Sequence, residues 1–132
     1  MASWPAAALA ALLTVVASGC LAADPPSAYA GMRVTYYPQE VLPITVPGKA
    51  ILDYEVRGDP GTPAFHSCIL LKRHEAPWRA SGGTEGIHCT LDATAGGGEV
   101  KVGEGIYAIG LWCAGGAEGR RCAGTVDASL RR

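Results

Sequence analysis

The sequence predicts an all-β fold, a two-layer antiparallel sandwich of about seven strands held by disulfides. Three observations predict it. Beyond residue 31 the chain breaks into short segments, several with period-two alternation, separated by Gly- and Pro-containing turns. No segment there sustains an i, i+3, i+4 apolar pattern free of Gly and Pro, so no helix is expected outside the leader. Four of the five cysteines lie beyond residue 60, at Cys68, Cys89, Cys113 and Cys122.

The elements follow in order. Met32–Tyr37 alternates Met32, Val34 and Tyr36 against Arg33, Thr35 and Tyr37, and Pro38 ends it. Val41–Val46 is extended but contains Pro43, which has no amide hydrogen to donate, so it reads as an edge strand. Lys49–Arg57 alternates most clearly. Ala50, Leu52, Tyr54 and Val56 share one face, Lys49, Asp53, Glu55 and Arg57 the other, and Ile51 is the one exception. Phe65–His74 is an apolar strand that turns basic, and Ala76–Gly86 reads as a Gly-containing loop. Ile87–Thr94 alternates again, and "AGGG" reads as a turn before a strand at Glu99–Val102. Ile106–Cys113 is apolar on both faces, as a covered central strand is. Arg121–Leu130 returns, with eight residues between Cys113 and Cys122, which makes the tail read as a final hairpin.

Residues 6–23, "AAALAALLTVVASGCLAA", are small and apolar, and no charged side chain precedes Asp24. They fit the apolar core and small-residue end of a secretory signal, although no Lys or Arg opens it. "ASGC" at 17–20 resembles a bacterial lipobox, which would make Cys20 a lipidation site. An uncleaved anchor is the third reading, since about 18 apolar residues can just span a bilayer. The chain therefore divides into a leader at 1–23, a Pro-containing linker at 24–31 and a sandwich domain at 32–132. All three readings export residues 24–132, so the expected location is secreted, periplasmic or cell-surface, with membrane contact only through the leader or a lipid on Cys20. Four cysteines in an exported domain of this size read as two disulfides, with three pairings open. The formal net charge of −1 gives no reason to expect a nucleic-acid partner.

"GEGIYAIGLWC" and the returning "CAGTVDASL" resemble the last two strands of immunoglobulin-like and fibronectin-type sandwich domains. In those a Gly-x-Tyr opens the penultimate strand, and Tyr107 is the counterpart. The resemblance implies an immunoglobulin-like arrangement. The Lys49–Arg57 strand has no cysteine, so the inter-sheet bridge of antibody domains is not expected. The same tail resembles cupredoxins, with Cys113, Gly124 and Val126 on their outline. A blue-copper site needs two His and a Cys, and no His follows His88.

Other chemistry is set against the residues present. His66, Cys68, His88 and Cys89 are the ligand types of zinc, but 88 and 89 on a strand point to opposite faces, and a Cys68–Cys89 disulfide is the better reading. Cys113 and Cys122 are too far apart for a Cys-x-x-Cys dithiol and read as a staple across the last hairpin. No Gly-x-Ser-x-Gly elbow is present. Asp53 and Glu55 share a strand face, and Glu99 and Glu104 flank a turn, as solvated carboxylates do. No cofactor, metal or enzymatic activity is expected. The residues with a claim on a partner are Trp78 and Arg79 in "HEAPWRASGG", Tyr37, and Arg120 and Arg121 in the stapled loop. Trp78 could equally fold back onto the core. The expected function is an exported, non-catalytic module recognising extracellular protein or glycan. An accessory β domain of a larger extracellular enzyme and a small protease inhibitor are the alternatives. Intact mass of the exported protein tests this reading: it should lack two hydrogens per disulfide at Cys68, Cys89, Cys113 and Cys122, and free thiols at 113 and 122 would overturn the staple.

Overall fold

A computed structural model describes residues 23–132. The leader readings and the lipidation of Cys20 fall outside the described residues. The strands are β1 (Tyr29–Tyr36), β2 (Gln39–Val46), β3 (Ala50–Gly58), β4 (Phe65–Leu71), β5 (His88–Ala93), β6 (Ala95–Val102), β7 (Gly105–Trp112) and β8 (Cys122–Arg131). They form two four-stranded antiparallel sheets, β1-β8-β3-β6 and β2-β7-β4-β5. This is the two-layer all-β sandwich expected, with eight strands.

The order of those strands has a simple origin. β1 pairs β8, β2 pairs β7, β3 pairs β6 and β4 pairs β5, so the chain is one long hairpin rolled up. Every sequential pair except β4–β5 lies in opposite sheets. That is the connectivity of a jelly roll, rather than the order the immunoglobulin resemblance implies. It also corrects the last hairpin: β7 and β8 belong to different sheets, and the 113–121 connection crosses between layers. Their faces decide this. Gly110 and Ala108 on β7 carry a buried layer on their outer side, whereas β8 shows Thr125, Asp127 and Ser129 to solvent.

The core is the set of inward residues that alternation selects. Leu52, Tyr54 and Val56 of β3 and Val126 and Ala128 of β8 face Leu42, Ile44 and Val46 of β2, Phe65 and Ile69 of β4, and Tyr107, Ile109 and Leu111 of β7. Each fully buried aliphatic or aromatic side chain contributes roughly 1.5–3 kcal/mol. The Tyr107 hydroxyl accepts the Gly103 N–H at 3.2 Å, which ties the β6–β7 turn. β2 is an edge strand and β7 a central one, as their sequences predict.

Three boundaries differ from the sequence reading. β1 starts at Tyr29, inside the linker, because the Tyr29 hydroxyl donates to the Pro43 carbonyl at 2.5 Å and the Gly31 amide to Asp127 Oδ1 at 2.8 Å. "AGGG" is strand, not turn: Ala95–Val102 pairs all along β3. Gly97 and Gly98 have φ of 140° and 157°, open to glycine alone, and the His88 ring fills the space a Gly98 side chain would need. A helix, α1 (Glu75–Ala80), follows a short 3-10 turn at Lys72–His74. Its six residues are too few for a helical period to show. Lys72 and Arg79 both reach Glu75, and Ser81 Oγ accepts the amides of Thr84 and Glu85 beyond its end.

The disulfides join Cys68 to Cys89 and Cys113 to Cys122, with Cα separations of 4.1 and 5.6 Å. Their jobs are different. Cys68 and Cys89 are direct cross-strand partners in one sheet, the geometry the sequence reading gave to the other pair. Cys113 and Cys122 fasten the end of β7 to the start of β8 across the sandwich. Loop closure makes the first worth about 3 kcal/mol and the second about 2–3 kcal/mol.

Burial also sets an alkaline limit. The Tyr54 phenol is pushed up to about 12 by burial, and Tyr36 is raised by burial and by the charge of Glu40. A raised folded pKa stabilises fully below the unfolded value near 10 and is lost as pH climbs through the folded one. Unfolding followed by circular dichroism should therefore set in above about pH 10, with tyrosinate absorbance rising in step. The Tyr54→Phe variant should move that limb to higher pH; an unmoved limb would show that this phenol does not set it.

Candidate binding surface

The turns β1–β2, β3–β4, β5–β6 and β7–β8 gather at one end of a rolled hairpin. Here Tyr37, 41% exposed, lies beside Gly116 of the stapled loop. The loop is ordered by its own bonds. The Ala117 amide donates to the Arg120 carbonyl at 3.0 Å and the Arg120 amide to the Ala117 carbonyl at 2.9 Å, closing a tight turn at Glu118–Gly119. Gly115 donates to the Ala64 carbonyl and Cys113 to the Pro38 carbonyl, so the β1–β2 and β3–β4 turns are fastened to the same loop. Arg120 and Arg121 are exposed. Neither has a carboxylate partner among the described residues, whereas Arg33, Arg57, Lys72, Arg79 and Arg131 all do.

Trp78 is elsewhere, and its reading as an exposed anchor is corrected. It is 1% exposed, lying on the outer face of the β2-β7-β4-β5 sheet with Cys68, Leu70 and Ala108. Gly110 makes the socket: a Cβ there would come within 2.7 Å of the indole. Trp112 meets the ring edge-on at 5.9 Å. The fold-back alternative is the one the molecule adopts, because β7 offers only Gly110 and Ala108 between Ile106 and Trp112 on that face. Arg79 stays exposed but is committed to Glu75 at 2.5 Å. The structure thus brings Tyr37 to the loop of Arg120 and Arg121 and leaves Trp78 and Arg79 apart from it.

The residues weighed as zinc ligands are engaged structurally. Cys68 and Cys89 are oxidised together. His66 Nδ1 accepts the Asp92 amide at 3.0 Å across a bulge, and His88 Nδ1 meets the Tyr54 hydroxyl at 2.7 Å. Strand parity puts these imidazoles on opposite faces of their sheet. Among the described residues no three metal-ligating side chains converge. On the outer face of the β1-β8-β3-β6 sheet, Arg131 bridges Asp53 and Glu99, and Arg57 bridges Glu55 and Asp127. Asp53 and Glu55 are therefore neutralised by different arginines rather than paired for acid–base work. Arg33 holds the Asp59 carboxyl below its ordinary range by hydrogen bonding. These exposed pairs contribute little each, about 0–1 kcal/mol.

Tyr37 stands out in the sequence, but its neighbour Gly116 does not. The signal for the pairing is thin: Pro38 and Cys113 are distant in sequence, and only the rolled topology joins them.

No family model matches this chain, and no curated protein matches it. Among solved structures, it is similar to the pre-peptidase C-terminal domain of a collagenase from Bacillus anthracis. The two are 10% identical, the match covers 76% of this chain and 89% of that one, and the TM-score is 0.48.

The loop geometry bears on protease contact. A bait loop must offer a free scissile carbonyl, yet the Arg120 carbonyl is bonded to Ala117 and Cys122 is fully buried. The oxidised protein should therefore resist trypsin at Arg120–Arg121 and leave trypsin uninhibited, and reduction should open that bond to cleavage. Mass analysis of timed digests reads both; rapid cutting of the oxidised form would show a loop less fixed than its bonds imply.

Proposed function

We propose that the chain is an exported, non-catalytic binding module that recognises protein or glycan outside the cell through its loop end. The observation that supports this best is the placement of Tyr37 against a disulfide-closed loop carrying two unpaired arginines. A tyrosine and arginines offer apolar area together with hydrogen bonding, the chemistry of interface anchors. Three turns fixed to each other limit the entropy lost when a partner docks. Two disulfides and the apolar leader support an oxidising, exported setting. Asp53 and Glu99 are tied to Arg131 and Glu55 to Arg57, which argues for binding over catalysis on that sheet face.

The test is binding of the oxidised protein to a printed glycan array and to surface proteins of the producing cells by cross-linking. Tyr37→Ala with Arg120→Ala and Arg121→Ala should weaken the strongest signal by at least about tenfold, a hot-spot loss. Arg73→Ala, on the exposed 3-10 turn away from these loops, should leave it unchanged. A signal indifferent to the triple substitution would place recognition elsewhere.

A further inference from the structure

The opposite end of the sandwich holds a cleft of about 520 Å³ lined by Lys49, Ala50, Ile51, Lys101, Val102 and Gly103, with Arg132 at its rim. Its floor includes Ile51, the residue that breaks the alternation of β3. On the outer face, Asp53, Glu55 and Arg57 follow it along the strand, all in ion pairs. Ile51 stands in register between Lys101 of β6 and Arg131 of β8. An apolar side chain is thus set among cations, half-buried, where the pleat calls for a charge. Ala50 and Val102, cross-strand partners, extend the apolar floor toward the core. A Cβ at Gly103 would meet nothing within 4 Å, so the β6–β7 turn leaves the cleft open on that side.

The rim carries the charge argument. Lys49, Lys101 and Arg132 have no carboxylate partner among the described residues. The nearest acids in register, Asp53 and Glu99, are both held by Arg131. Glu104 follows Gly103 in the chain but does not line the cleft. An apolar floor ringed by unneutralised cations selects a ligand with the reverse pattern. We infer that this cleft is a binding site for a small anionic amphiphile, an alkyl or aryl chain bearing one carboxylate, sulfonate or phosphate. The chain would lie on Ile51, Ala50 and Val102 and the head group between Lys49 and Lys101. This site is at the other end from the loops and does not rest on the binding reading proposed for them.

Titration of the oxidised chain with dodecanoate below its micelle concentration, followed by amide NMR, tests the inference. Shifts should concentrate at Lys49–Ile51 and Lys101–Gly103. Acetate, which lacks the chain, and dodecanol, which lacks the charge, should each bind at least about tenfold more weakly, since each lacks one contact worth about a factor of ten. Lys101→Glu and Ile51→Asp should each weaken dodecanoate about tenfold or more while the spectrum outside the cleft stays native. Dodecanoate shifts elsewhere, or an affinity indifferent to both substitutions, would overturn the inference. So would binding confined to anionic phosphatidylglycerol vesicles with no shift from the free amphiphile, which would assign the charge to a membrane surface instead.

Discussion

The packing of β3 and β8 against β4 and β7 is the contact on which everything else in this molecule depends. These four central strands carry Leu52, Val56, Val126, Ile69, Ile109 and Leu111, all almost wholly removed from water. Burying two apolar faces against each other leaves the outer faces free to diverge. One is a solvated lattice of Arg57, Arg131 and their carboxylates. The other is covered in part by a second apolar layer, Trp78 over Gly110, supported by a helix of only six residues. The rolled hairpin satisfies this layering because each turn but one carries the chain across the sandwich.

The two ends of such a roll are chemically unlike. At one, turns distant in sequence are fastened together by main-chain bonds from Cys113 and Gly115 and by the Cys113–Cys122 bridge. This gives Tyr37, Arg120 and Arg121 a rigid mount. At the other, the β2–β3 and β6–β7 turns leave Ile51 among Lys49, Lys101 and Arg132. Edge management differs as well. β2 is protected by Pro43, by the Tyr29 hydroxyl on its carbonyl and by the Pro26 carbonyl accepting from Thr45. Where β5 and β6 meet, the glycines admit Ser67, Thr90 and His88 between the layers.

Much of this was legible in the chain. Strands and their inward faces follow from alternation at Leu52, Tyr54 and Val56, and Pro43 marks an edge. The edge strand at Val41–Val46 and the covered strand at Ile106–Cys113 take those places because pleat and burial act locally. What misled was the tail. Two cysteines bracketing a loop between two strands look the same whether those strands pair or face one another. The glycine run at 96–98 has no alternation to read, and its strand conformation comes from β3 beside it and from His88 above Gly98. Trp78 carries no local sign of its socket, since Gly110 lies more than thirty residues away.

By itself, the sequence determined an all-β domain, the inward face of most strands and four cysteines enough for two disulfides, because these depend on residue type and on a period of two. Only the tertiary structure decided which strands are neighbours. It therefore decided that Cys113–Cys122 joins two sheets, that Trp78 is core and that Tyr37 meets the loop of Arg120 and Arg121. The reason is physical. Strand pairing is set by which apolar faces can be buried together across long stretches of chain, and no short window of sequence contains that sum.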